Sequence, residues 1–219
     1  MASGSNRAAK KKPARKRAGV AWPQRRAIDR KLARLALALV ETKRALARAQ
    51  DRVAELEKQA DEDPLMPIAN RRAFLRELAR MVAFAARYDI GGSVIYLDLD
   101  NLKTINDTHG HAAGDAALLQ VARLLTETVR ASDVVGRLGG DELGVLLVQA
   151  DREAAERKAA EFARRIEAEP LHWQGRRVPL TIAFGVHAFA SGENAEEVIA
   201  AADRAMYRNK RAAERRFRR

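Results

Sequence analysis

Two carboxylate clusters in this chain sit where they could do chemistry. Asp98 and Asp100 close the apolar run Ser93-Val94-Ile95-Tyr96-Leu97. Asp141 and Glu142 follow Gly139-Gly140, between the short apolar runs 134–138 and 144–148. Alternate residues of a strand share a face, so Asp98 and Asp100 point the same way. Two adjacent glycines between strand-like runs favour a tight type I′ or II′ hairpin, which needs positive φ. A strand end and a hairpin tip can converge on one hard, oxygen-liganded cation, and magnesium with a phosphate substrate is the usual occupant. Taken singly, an Asp at a strand end is more often a cap or turn residue.

The elements that must position these acids can be read from periodicity. Residues 1–23 are rich in Lys, Arg, Ala, Gly and Pro without an apolar period, and are expected to be a disordered basic tail. A helix is expected over 24–61. Its apolar positions Ile28, Leu32, Leu35, Leu39, Thr42, Leu46, Ala49, Val53 and Leu56 alternate four- and three-residue steps, a heptad seam with charges outside it. So narrow a seam predicts a coiled-coil dimer, with a single amphipathic helix as the alternative. Asp61-Glu62-Asp63-Pro64 ends it. A second helix opens at Asn70 with Phe74, Leu75, Leu78, Met81, Val82 and Phe84 inward. After the strand at 93–97, helices are expected at 101–108 and 114–129. The hairpin, a helix at 151–168, a strand at 178–189 and a helix at 195–211 follow. That order predicts an α+β layout of the ferredoxin-like kind, a mostly antiparallel sheet with helices on its faces.

Charge sharpens the division. The 219 residues carry a net +12, yet residues 35–207 hold 22 bases and 27 acids, so the basicity belongs to the ends. That distribution weakens a nucleic-acid reading, and no specific nucleic acid is expected. The tail is expected to make at most weak contact with anionic surfaces. No cysteine is present, which excludes a disulfide framework and thiol chemistry. No apolar run reaches membrane-spanning length and no h-region follows the basic start, so a cytoplasmic protein is expected.

The string Arg137-Leu138-Gly139-Gly140-Asp141-Glu142-Leu143 resembles the signature of GGDEF domains, the diguanylate cyclases. The resemblance extends through 97–107, Gly110-His111-Ala112-Ala113-Gly114-Asp115 and 202–210, and covers roughly residues 63 to 213 in the family's order. It implies a nucleotide-cyclase fold over 62–213, with 214–219 a basic tail. It also implies condensation of two GTP into cyclic di-GMP plus two pyrophosphates, by a homodimer whose active sites face each other. By resemblance, Asp98, Asp141 and the Leu99 carbonyl bind metal, two magnesium ions per active site with manganese as a substitute. Asp141, Glu142 and Lys103 are the implied catalytic residues. The backbone of Asn101 and Leu102, Lys103, Lys210, Gly139 and Gly140 would hold phosphates, and Asn106 with Asp115 would read guanine. Arg130 and Asp133 match the family's inhibitory product site, an Arg-x-x-Asp with five residues between it and Gly139. In isolation each lysine is an ordinary surface residue, Asn106 a cap, Asp115 a first-turn acid, and Arg130 with Asp133 an i,i+3 ion pair.

Departures stand beside the match. Leu143 and Leu102 replace common phenylalanines, Met66-Pro67 replaces Thr-Gly near the domain's start, and Glu214 stands where a basic residue is usual. Two rivals remain open at this point. One is a silent receptor that binds cyclic di-GMP through Arg130 and Asp133. The other is a nucleic-acid-binding protein that uses the basic ends.

Overall fold

A computed structural model describes residues 22–88, 90–190 and 192–217. The expected tail 1–23 lies outside the described residues except for Trp22 and Pro23, as do the side chains of Glu214 and Arg215. The chain divides into two compact units, one ending at Glu55 and one beginning at Leu56.

Residues 22–55 of helix α1 (Trp22–Asp61) make up the described part of the first unit, and the last turns of the helix belong to the second. Its seam residues Ile28, Leu32, Leu35, Leu39, Leu46 and Val53 are each more than half exposed in the single chain. The helix ends at Asp61, before Pro64, as expected.

The second unit is a layered α+β domain. Its elements are α2 (Arg71–Tyr88), β1 (Gly92–Leu99), α3 (Leu102–His109), α4 (His111–Thr126), β2 (Val134–Arg137) and β3 (Glu142–Val148). They continue with α5 (Arg152–Ala168), β4 (Leu171–Trp173), β5 (Arg176–Val178), β6 (Ile182–Phe189) and α6 (Ala195–Phe217). Caps fix two of the helix starts. Asn70 Oδ1 accepts from the Ala73 N–H at 3.0 Å, and Asp151 Oδ1 from the Ala154 N–H at 2.7 Å.

Four strands form one sheet in the order β2-β3-β1-β6, every neighbouring pair antiparallel. The connection from β1 through α3 and α4 to β2 skips one strand position, which is the split arrangement of the ferredoxin-like fold. β1 is central and buried on both faces, which is why it reads as an unbroken apolar run. On one face Ile95, Leu97 and Leu99 meet Leu143 and Val145 beneath α4 and α5. On the other, Val94 and Tyr96 pack with Phe74, Leu146 and Met206 beneath α2 and α6. Asp98 continues this second face, toward α6.

Four expectations need correction. α4 starts at His111 rather than Gly114 and ends at Thr126, because Gly110, at φ 85°, closes α3 and opens α4 without a spacer. The expected strand 178–189 is two elements, since Pro179 offers no N–H to a ladder. The small β4–β5 hairpin was not foreseen. Its Gln174-Gly175 turn takes positive φ at both central residues, which the twist of a two-residue turn requires. Phe84, expected to face inward, is 42% exposed and packs on Tyr88 with ring centroids 4.5 Å apart.

Candidate active site

The sheet register builds the acidic end of the site. Asp98 on β1 pairs directly with Glu142 on β3, so their side chains share a face. The Leu99 N–H donates to the Asp141 carbonyl at 3.0 Å, tying the end of β1 to the hairpin tip. Burial comes first in lifting the Asp98 carboxyl above its usual range, and the charges of Asp141 and Asp100 add to it. The Lys210 ammonium, reaching over from α6, opposes the shift by hydrogen-bonding Asp98 Oδ1 and standing 3.6 Å from Asp100 Oδ1. Burial alone would lower the pKa of Lys210, but Asp98 and then Asp100 raise it overall. Asp98, Glu142, Asp203, Tyr207 and Lys210 line a hollow of about 470 Å³.

Among the described residues no cluster of three or more His, Asp or Glu side chains is already closed on a metal position. The donor chemistry nevertheless fits a divalent cation. Half-buried carboxylates crowd together, all donors are oxygens, and the charge that balances Asp98 is a lysine in a cation's place.

The hairpin tip is shaped differently from the expected turn. Gly139 and Gly140 do not take positive φ. The connection is a wider loop of four residues, 138–141, closed by the Leu138 and Gly139 N–H groups on the Glu142 carbonyl at 2.9 and 3.3 Å. Space explains the glycines instead. A Cβ on Gly139 would stand 2.2 Å from Glu142 Oε2, and one on Gly140 would point into open space. The absence of a side chain there leaves the backbone open to a phosphate.

Residues that the sequence did not single out hold this loop. Arg137 donates from Nε to the Gly139 carbonyl at 3.0 Å and from Nη2 to the Gly140 carbonyl at 2.7 Å. Its Nη1 is 3.3 Å from Asp63 Oδ1, an ion pair largely shielded from solvent. Asp63 Oδ1 also accepts the N–H groups of Leu65 and Met66, so the Met66-Pro67 departure leaves an ordered turn with Met66 buried. Arg71 Nη1 donates to the Leu138 carbonyl at 3.0 Å. Buried Tyr96 faces Glu142, and burial together with that carboxylate keeps its phenol protonated far above the usual range. Arg137 was visible as a member of the motif, but only its hydrogen bonds to the Gly139 and Gly140 carbonyls show it turned onto the loop.

The residues expected to meet a nucleotide lie along α3 and the start of α4. Asn101 takes φ 58° and starts α3 without a side-chain cap, exposing the first N–H groups of the helix. Lys103 and Asp115 are exposed. Asn106 Oδ1 is buried without a hydrogen-bond partner, and a Cβ on Gly114 would stand 1.9 Å from it. The structure therefore brings the Asn106 amide onto Gly114, next to Asp115, with an acceptor left open.

Arg130 and Asp133 form a turn rather than an ion pair. The Asp133 N–H donates to the Arg130 carbonyl, and Asp133 Oδ2 accepts the Arg130 N–H, both at 3.0 Å. Its Oδ1 accepts the Val148 N–H at 3.1 Å. Asp133 thus shapes the turn, while Arg130 is exposed at a hollow of about 500 Å³ that Thr126, Val129 and Glu62 also line.

Comparison with known proteins follows the same residues. The family described as diguanylate cyclase, GGDEF domain, matches residues 60–216. The chain is 38% identical over 152 residues to diguanylate cyclase DgcP of Pseudomonas aeruginosa, which covers 68% of this chain and 22% of that protein. It is 34% identical over 157 residues to the probable diguanylate cyclase DgcE of Escherichia coli, covering 71% and 14%. The chain thus spans less than a quarter of the length of either relative. Among solved structures, the coiled coil and GGDEF domain of DgcB from Caulobacter crescentus, in complex with c-di-GMP, superposes with a TM-score of 0.75 at 25% identity. That match covers 81% of this chain and 95% of the other. Diguanylate cyclase SiaD of Pseudomonas aeruginosa, in complex with its activator SiaC, gives 0.72 at 26% identity, over 87% and 73%.

Proposed function

The chain belongs to the GGDEF diguanylate cyclase family, and from that premise we propose that it condenses two GTP molecules into cyclic di-GMP and two pyrophosphates, working as a homodimer. The observation that carries this is the convergence of Asp98, Asp141 and Glu142 at the joined ends of β1 and β3, with the Lys210 cation drawn onto Asp98.

Each half-reaction forms a bond from a 3′-oxygen to the α-phosphorus of the other GTP and breaks the bond to the β-phosphate oxygen, so pyrophosphate leaves. The α3 start, Lys103 and Lys210 offset triphosphate charge, and the bare backbone at Gly139-Gly140 admits a phosphate. The open acceptor of Asn106 and the Asp115 carboxylate take the N–H donors of guanine. Glu142 stands by the attacking hydroxyl and accepts its proton. Two magnesium or manganese ions, held by Asp98, Asp141 and the Leu99 carbonyl, supply Lewis acidity at the phosphates when bound. Two protomers are needed because each holds one GTP, and the α1 seam brings them together.

Product inhibition belongs to the same proposal. Arg130 is exposed and free to stack on a guanine and bind its phosphate. Among the described residues no helix is long and apolar enough to cross a membrane. The catalytic domain is taken as 62–213, after a coil at 24–61, with only weak anionic contact through the tails and no specific nucleic acid.

The deciding experiment supplies purified protein with GTP and magnesium and identifies the product by chromatography. Cyclic di-GMP with pyrophosphate is expected. Unchanged GTP at concentrations where sedimentation shows dimers would remove the enzyme and leave the silent receptor. In the same assay Arg130→Ala should raise by about tenfold the product concentration that halves the rate. An unmoved value would place inhibition elsewhere.

A further inference from the structure

Helix α1 carries a second pattern that its seam does not use. Arg26, Arg30 and Arg34 succeed one another at four-residue steps, and Arg44 and Arg48 resume the pattern five turns after Arg26. With Leu32, Leu39, Leu46 and Val53 at heptad position a, these five arginines fall at b, c and f, the positions that point away from a seam. Between the two groups stand Leu37 and Val40, also at f and b, 65% and 46% exposed. Among the described residues none of the five arginines has an ion pair. Arg30 and Arg48 instead donate from Nε to the carbonyls of Arg26 and Arg44, at 3.2 and 3.3 Å. The lysines of the same stretch, Lys31 and Lys43, take positions g and e beside the seam.

We propose that this outward face of α1, from Arg26 to Arg48, docks an acidic helix of a partner protein, with Leu37 and Val40 seated on apolar residues at its centre. The face is about 33 Å long, enough for a partner helix of six turns. Five arginines against the single acid Glu41, at position c, leave the face a net positive charge that disfavours a second copy of itself. The choice of Arg over Lys matches protein interfaces, where Arg is enriched and Lys depleted, and where its fork pairs with carboxylates at two points. A nucleic-acid backbone accepts Lys equally and gives an exposed leucine nothing to do. In a two-stranded coil the f positions of the two chains point in opposite directions, so one flat lipid surface meets only one of the two faces.

The test uses the full chain and, as probe, a labelled helical peptide of about 25 residues with Glu at four-residue steps around a central Leu pair. Binding is read by anisotropy at ~0.15 M salt, beside a short DNA duplex and phosphatidylglycerol vesicles. The variant Arg30→Gln/Arg34→Gln/Arg44→Gln/Arg48→Gln should bind the peptide at least about tenfold more weakly, and Leu37→Ser about fivefold more weakly. Leu37→Ser should leave DNA binding unchanged. A peptide that does not bind overturns the proposal. So does affinity that ignores Leu37→Ser, or tighter binding of DNA or vesicles, which would mark a general polyanion contact. Sedimentation and GTP turnover on the same samples report the dimer and the enzyme separately, and neither should change.

Discussion

At the residue scale, function rests on groups whose surroundings oppose their charge. Asp98 is driven up by burial and by neighbouring acids, and Lys210 relieves it. A cation is therefore favoured beside Asp98 and Asp141. Asp141→Asn should cost turnover about 10³-fold or more while leaving the melting temperature close to that of the parent, and retained turnover would remove Asp141 from the site. Gly114→Ala makes a finer probe. The added methyl would stand 1.9 Å from Asn106 Oδ1 and drive that amide off its place. The KM for GTP should rise about tenfold, with a smaller change in kcat; an unchanged KM would free Asn106 from base reading. Asp98, Asp141, Asn106 and Asp115 can be picked out as candidates from the sequence because each lies in a motif. Arg71, Arg137 and Tyr96 were not given roles, since their work depends on partners 46 to 74 positions away. The glycines of the tip do not supply the positive φ expected of a tight turn; the missing Cβ of Gly139 leaves room for Glu142.

At the element scale, long and periodic pieces were readable and short ones were not. The β1 run, the seam of α1 and the amphipathic α2 and α5 follow directly from apolar spacing. The β4–β5 hairpin has three-residue strands, too short for alternation to register. α4 was placed late because Gly114 resembles a helix start, whereas it lies inside the first turn and serves Asn106. The join of α4 to α5 offers a test that depends on pH. Glu127 bonds Arg123 of α4 at 2.8 Å and Arg165 of α5 at 2.6 Å. The Arg123 hydrogen bond, which outweighs the opposing burial, holds the Glu127 carboxyl below its ordinary value of 4.5. A carboxyl depressed in the folded state adds stability above its unfolded pKa and loses it as pH falls through the folded one. Between about pH 5.5 and 3, the melting temperature of Glu127→Gln should therefore fall less steeply than that of the parent. Parallel curves would show that the bridge adds nothing to the fold.

At the scale of the whole molecule, the proposed mechanism makes one domain half a catalyst. With one GTP in each active site and no second nucleotide to attack, turnover would depend on how often two domains meet, and the α1 seam would set that frequency. Its Leu32, Leu35, Leu39 and Leu46 are more than half exposed in the single chain, and pairing would remove them from water at roughly 25 cal/mol per Å² of apolar surface. Thr42 and Ala49 thin the seam toward its C-terminal half, so the dimer should be modest and open to dilution. Leu39→Glu would place like charges against each other at the centre of the seam, in the unit that does not carry the site residues. Sedimentation should show that variant as a monomer at about 10 µM, where the parent is a dimer. Its turnover per protomer should fall at least about tenfold and climb in proportion to protein concentration, because encounter has become second order. The isolated domain should keep its melting temperature, since residues from Leu56 onward form their own compact unit. Full turnover by a monomeric Leu39→Glu variant, with no dependence on concentration, would show that one chain condenses both nucleotides without a partner.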